Sequence, residues 1–152
     1  MEYSLIPDSE GAGRQRGGMG LRRDYLFEGD VTFNVFADKA KFTPKGLMGG
    51  QDAHPARYIR NPGTQSQDYP SKLSVRLQPG EVFSVRMGGG GGYGSPLERD
   101  PNLVLRDVLD GKISVVRAAE VYGVVISEEP REVDSQATRA CRQRLSSSAA
   151  RS

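Results

Sequence analysis

Five consecutive glycines, Gly88 to Gly92, lie between a predicted strand and a predicted helix in the stretch RMGGGGGYGS. Glycines at such a place can bind phosphate through backbone N–H groups, but the P-loop form continues into Gly-Lys-Ser or Gly-Lys-Thr, which this tract lacks. A flexible linker is disfavoured because the sequences on both sides are typical of one small core. The tract therefore indicates successive positive-φ or strained residues that let the backbone approach a ligand, a neighbouring subunit or another strand.

A second segment with chemical potential is EGAGRQRGGMG, residues 10–20, which combines glycines with Arg14 and Arg16. An extended backbone would direct both arginines to one side, where they could bind an anion or an acidic partner surface. A solvated basic loop explains the same composition equally well. The only histidine, His54, has no partner that the sequence can place beside it, so we interpret it as an exposed loop residue.

The composition limits the classes of protein to which the chain can belong. Its 152 residues are enough for one domain, and its net charge of +2 gives no indication of a nucleic-acid partner. A single cysteine, Cys141, excludes an internal disulfide framework and a thiolate metal cluster, and it fits a reducing compartment. No run of 18 apolar residues indicates a membrane span, and we expect a cytoplasmic protein that binds no metal.

The first 99 residues are predicted to be rich in strands with long glycine/arginine loops. A short strand opens the chain, and residues 21–29 and 30–37 are predicted to form a hairpin around Glu28-Gly29-Asp30. A second hairpin is predicted from residues 72–77 and 82–87, joined by a turn that contains Pro79-Gly80. Between the two hairpins, residues 39–69 are interpreted as a long functional or disordered loop. The predicted core residues of the second hairpin are Leu73, Val75, Leu77, Phe83 and Val85.

Residues 100–145 are predicted to be helical and to pack on the β-rich region. Asp100, Ser114 and Asp134 are each placed to cap a helix, and Gly111 and Gly123 are placed to end the first two. The three residues 124–126 are predicted to form a strand, and residues 146–152 a disordered tail. The fold class is therefore α+β: antiparallel β-hairpins that form a small sheet or partial sandwich, followed by two or three short C-terminal helices.

Several sequence blocks in a fixed order resemble the C-terminal part of the hydantoinase B/oxoprolinase family, which includes N-methylhydantoinase B and relatives of acetone carboxylase. The resemblance covers roughly Tyr3 to Glu132. The blocks that carry it are residues 8–20, 46–50, 70–72, 89–101 and the pair 108–111 and 122–124. Three positions depart from the family pattern: Glu10 replaces a glycine, Gln15 an aromatic residue and Ser95 an aspartate.

The resemblance implies a function and partners. Family members take part in the ATP-dependent opening of cyclic amides such as 5-oxoproline or hydantoins, and an A-type partner subunit binds the ATP and Mg. We therefore expect no cofactor on this chain, a missing N-terminal part of the B-type module, and little activity of the chain alone. Exposed sheet edges make self-association a further expectation. The alternative is a noncatalytic interaction or structural module, or a truncated gene product.

No catalytic residue can be assigned, but the resemblance suggests candidates for binding a substrate or partner. Lys72 follows Pro70-Ser71 at the start of an edge-like strand, where its ammonium group could meet a carboxylate or phosphoryl group formed during ring opening. A lysine that only solvates the strand is the competing interpretation. The complete set of candidates is Arg14, Arg16, Ser71, Lys72, Gly89, Gly90, Gly91, Gly92 and Tyr93.

Overall fold

The computed structural model describes residues 1–63 and 65–149, and within them it confirms the predicted α+β class. Strands come first and helices follow, with a short 3-10 helix, Pro96–Glu98, between them. The strands are β1 (Tyr3–Ile6), β2 (Gly20–Leu26), β3 (Val31–Phe36), β4 (Arg57–Arg60), β5 (Gln67–Tyr69), β6 (Lys72–Leu77) and β7 (Val82–Arg86). The helices are α1 (Pro101–Leu109), α2 (Val115–Glu120) and α3 (Ser135–Ala149).

The strands form two antiparallel sheets, one with the order β1-β2-β7-β4-β5 and one made of β3 and β6. Both predicted hairpins are therefore wrong, because β2 and β7 belong to the larger sheet whereas β3 and β6 pair with each other. The two connections run side by side instead: the Gly80 amide donates to Phe27 O at 2.8 Å, and the Phe27 amide donates to Glu81 O at 3.0 Å. Each turn carries the chain from one sheet to the other.

The apolar faces of the two sheets pack on each other and form the first core. Phe33 of β3 meets Phe83 of β7 with 5.0 Å between the ring centroids. The five predicted core residues are confirmed: Leu77 and Phe83 are fully buried, and Leu73, Val75 and Val85 pack around them. The alternating apolar pattern was sufficient to identify this face, although it did not identify the strand partners.

The helices enclose a second core, and their predicted ends are confirmed. Asp100 Oδ1 accepts from the Asn102 amide at 2.8 Å, Ser114 Oγ from Arg117 at 3.0 Å, and Asp134 Oδ1 from Ala137 at 2.9 Å. Such caps typically contribute about 1 kcal/mol each. The glycines that follow α1 and α2 have the positive φ expected of a helix end. The second core consists of Ala12, Val104, Val108, Ile113, Ala118, Tyr122, Val124 and Ile126.

Three local predictions are wrong. The segment 39–69 contains β4 and β5, and β4 lacks alternation because its central residues Tyr58 and Ile59 are both buried. In the predicted strand 124–126, only Ile126 makes a bridge, to Val133. Residues 146–149, predicted to be disordered, continue α3, because no helix-breaking residue follows the Asp134 cap; residues 150–152 lie outside the described residues. No helix in the described part of the chain could span a membrane.

Candidate functional site

Three glycine-rich segments meet where the β-sandwich joins the helices. We call this meeting point the glycine junction, and it comprises residues 11–20, 46–50 and 88–94. The Gly11 amide donates to Gly90 O at 2.8 Å, and the Leu47 amide donates to Gly92 O at 2.9 Å. Tyr93 forms bridges with both Gln15 and Leu47. The junction is therefore held by backbone hydrogen bonds between segments that are far apart in the sequence.

The glycines of the tract allow a close approach of main chains. A Cβ atom on Gly92 would overlap the carbonyl oxygen of Ala12, and one on Gly91 would overlap that of Lys45. A Cβ atom on Gly88 would lie 2.5 Å from His54 O. The predicted close approach is thus confirmed, and the neighbour is other main chain of the same protein. The predicted run of positive φ angles is wrong, since within 88–94 only Gly94 has one, at 72°.

Four of the seven backbone amide groups in residues 88–94 donate hydrogen bonds to carbonyl oxygens of the protein. Those of Gly90, Gly92, Tyr93 and Gly94 donate to the carbonyl oxygens of Gly18, Gln51, Gln15 and Leu47, at 2.8–3.0 Å. A phosphate cradle needs such amides to point at a ligand. The geometry therefore favours a structural junction over a phosphate site.

A buried ionic cluster ties the first segment to α1. Arg16 donates from Nε and Nη2 to the two carboxylate oxygens of Asp107, both at 2.8 Å, and Arg99 donates to Asp107 Oδ2 at 2.8 Å. Burial alone would raise the pKa of Asp107, but the hydrogen bonds and charges of the two arginines outweigh it and hold that pKa below its ordinary value. Asp107 is thus a charged, buried residue whose carboxylate accepts hydrogen bonds from two guanidinium groups.

A second buried carboxylate, Glu10, connects the same segment to α2. Its Oε1 accepts from Arg117 Nε at 2.7 Å and from the Tyr122 hydroxyl at 2.9 Å. Burial raises the pKa of Tyr122, and the neighbouring Glu10 carboxylate raises it further. Glu10 therefore has a structural role in this chain.

The predicted site residues fall into two separate places. The tract residues Gly89 to Gly92, with Tyr93, form the junction, and Arg14 lies exposed at its edge. Arg16 also belongs to the junction, but its charge is neutralised by Asp107. Ser71 and Lys72 lie at the start of β6 in the other sheet, and no contact in the described structure joins them to the junction. Lys72 is 69% exposed, with Asp38 at 3.8 Å as its nearest acidic partner.

The ionic cluster of Arg16, Arg99 and Asp107 was not predicted from the sequence. One signal for it exists: Asp107 lies three residues after Val104 and next to Val108, on the face of α1 that both valines bury. A charged residue on a buried helix face indicates a partner of opposite charge, because burying an unpaired charge is costly. Its arginine partners, Arg16 and Arg99, lie 91 and 8 residues away in sequence.

The donor chemistry for a metal ion is limited. Within the described residues, no group of three or more His, Cys, Asp or Glu side chains is arranged to hold one. The two buried carboxylates beside the junction, Glu10 and Asp107, form ion pairs with arginines instead. His54 is exposed, as expected from the sequence.

Comparison with known proteins identifies the family. The hydantoinase B/oxoprolinase family model matches residues 1–96, and the chain belongs to this family. The chain is 37% identical over 147 residues to caprolactamase subunit beta of Pseudomonas jessenii, covering 92% of this chain and 25% of that subunit. It is also 32% identical over 95 residues to the 5-oxoprolinase of Saccharomyces cerevisiae, covering 61% of this chain and 7% of that protein.

Solved structures of two ATP-dependent enzymes are among those that share the fold. The ATP-dependent caprolactamase of Pseudomonas jessenii superposes with a TM-score of 0.77 at 30% identity, covering 93% of this chain and 25% of that chain. Nucleotide-free acetone carboxylase superposes with a TM-score of 0.77 at 21% identity, covering 96% of this chain and 24% of that chain. This similarity shows a common fold alone. The chain spans about a quarter of the length of the curated relatives that match most of it.

Proposed function

We propose that this chain acts as the C-terminal part of a hydantoinase B-type subunit in the ATP-dependent hydrolysis of a cyclic amide. The substrate class is that of 5-oxoproline or hydantoins, in which water opens a ring C–N bond while ATP is hydrolysed. The products are a carboxylate together with an amine from 5-oxoproline, or with a ureido group from a hydantoin. An A-type partner binds the ATP and Mg, and an upstream part of the B-type subunit completes the module. We place this assembly in the cytoplasm.

The observation that carries the proposal is the match of nearly the whole chain to a caprolactamase subunit in both sequence and structure. The site geometry agrees with a supporting role for this part of the subunit. The buried charges in and beside the junction, Glu10, Arg16 and Asp107, are all engaged in ion pairs within the protein. Of the candidate cations, Arg14 and Lys72 are exposed and available to a substrate or partner.

The test is reconstitution. The chain is produced together with an A-type subunit and the upstream B-type segment, and ATP hydrolysis is measured with and without 5-oxoproline or a hydantoin. We expect the cyclic amide to stimulate ATP hydrolysis only when the chain is present. An assembly that turns over substrate equally well without the chain would contradict the proposal and favour the alternative of a noncatalytic interaction module.

A further inference from the structure

Three large apolar side chains are exposed side by side on the glycine junction. Leu47 is 63% exposed, Met48 77% and Tyr93 45%. Leu47 and Tyr93 are bridge partners, and Tyr93 is also the bridge partner of Gln15, so these three residues occupy neighbouring positions on one face. We call the surface formed by Arg14, Gln15, Leu47, Met48 and Tyr93 the junction face. A contiguous apolar surface of this kind is typical of an interaction site.

The backbone of Met48 supports this interpretation. Residues 47–50 form a tight turn, in which the Gly50 amide donates to Leu47 O at 2.9 Å. Met48 has a φ of 51° and Gly49 a φ of 89°, so a methionine occupies a left-handed position that suits glycine or asparagine. Its side chain gains no burial within this chain in return. Strained backbone positions of this kind cluster at binding and functional sites.

The charge at the edge of the junction face indicates what kind of partner fits. Arg14 is exposed and fixed through its backbone, since its amide donates to Gly94 O at 3.1 Å. Within the described residues, no carboxylate pairs with its guanidinium group, whereas Arg16 pairs with Asp107 and Lys45 with Asp52. The complementary surface therefore presents apolar side chains with a carboxylate beside them.

We propose that the junction face binds the remainder of a hydantoinase B-type subunit, with Leu47, Met48 and Tyr93 as the buried contacts and Arg14 as the charged one. This inference rests on the proposed function. The relatives are about four times as long as the chain, so most of such a subunit is available to cover this surface. A second copy of the chain fits less well, because a two-fold contact pairs the junction face with itself, and none of its five residues is a carboxylate that could pair with Arg14.

The test uses a full-length chimera of caprolactamase subunit beta, in which this chain replaces the matching segment. Leu47→Asp and Tyr93→Asp are each introduced, with Phe36→Asp as the matched control, because Phe36 is 82% exposed on the β3–β6 sheet. We expect each junction variant to lower at least about tenfold the yield of chimera in which this chain and the rest of the caprolactamase subunit have assembled into one folded subunit. Losses of this size are typical of residues that dominate an interface. The control is expected to change it less than about twofold. Circular dichroism of the same variants in the isolated chain checks that they fold.

A second measurement tests directly whether Met48 is buried in the contact. Peroxide oxidation of Met48, followed by mass spectrometry, is expected to be at least about tenfold slower in the chimera than in the isolated chain, because buried methionines are protected. Equal oxidation in both, or a Leu47→Asp chimera that assembles like the parent, would overturn the inference. An isolated chain that sediments as a dimer, and as a monomer after Leu47→Asp, would assign the surface to a second copy instead and also overturn it.

The chimera separates this inference from the proposed function. Caprolactam-stimulated ATP hydrolysis by the parent chimera tests the function, whereas assembly and Met48 protection test the surface. A chimera that assembles and protects Met48 but hydrolyses no ATP would contradict the proposed function and support the surface.

Discussion

Arg16 and Asp107 form a two-pronged ion pair that joins the glycine-rich N-terminal segment to helix α1 across 91 residues of sequence. Arg99 also donates to Oδ2 of the same carboxylate, at 2.8 Å. Because Asp107 is 4% exposed, the three charges are held largely away from water. This cluster fixes the first segment of the glycine junction against the helical core.

Removing the shared carboxylate should therefore be costly. Asp107→Asn leaves Arg16 and Arg99 partly buried without a counter-charge, and we expect the free energy of unfolding to fall by about 3 kcal/mol. Urea unfolding monitored by circular dichroism measures it. Asp110→Asn is the matched control, because Asp110 is exposed beside Lys112, and it should leave the stability nearly unchanged. Equal stability of the two variants would show that the cluster does not hold the junction.

The same pair predicts how stability depends on pH. The pKa of Asp107 is lowered in the folded protein, so its contribution is fully present above the ordinary value of 3.8 and is lost as the pH falls through the lower folded value. We expect the free energy of unfolding to decrease as the pH falls below about 4, and to decrease less in Asp107→Asn. Urea titrations at several pH values test this. Parallel curves for the two proteins would contradict it.

The helix caps and the strand pairing differ in how far the sequence could predict them. The caps at Asp100, Ser114 and Asp134 are local hydrogen-bond patterns, so their positions were predicted correctly. Strand pairing is a property of residues distant in sequence, and a turn such as Pro79-Gly80 looks the same whether it joins paired strands or crosses between sheets.

In the candidate site, too, the sequence predicted local features but not the tertiary contacts. The absence of Cβ atoms in the glycine tract predicted a close approach, but only the structure shows that Ala12, Lys45 and His54 are the neighbours. The charge on Arg16 was visible in the sequence, whereas its neutralisation by Asp107 depends on tertiary packing. Composition could not distinguish a ligand-binding arginine from a structural one.

Lys72 remains a candidate for contact with the substrate. In the reconstituted assembly, we expect Lys72→Ala to slow substrate-stimulated ATP hydrolysis at least about tenfold, as loss of a group that stabilises developing negative charge does. Arg76→Ala is the control, since Arg76 is an exposed cation four residues later on the same strand. A Lys72→Ala rate equal to that of the control would mean that Lys72 only solvates β6.

The central claim is that the glycine tract exists because main chains pack against it, and Gly92→Ala tests this most directly. A Cβ atom there would overlap Ala12 O, so we expect urea unfolding to show a loss of at least about 2 kcal/mol. Gly18→Ala, in the same junction but with nothing within 4 Å of its Cβ position, should change stability by less than about 1 kcal/mol. If Gly92→Ala were as stable as Gly18→Ala, close main-chain packing would not explain the tract.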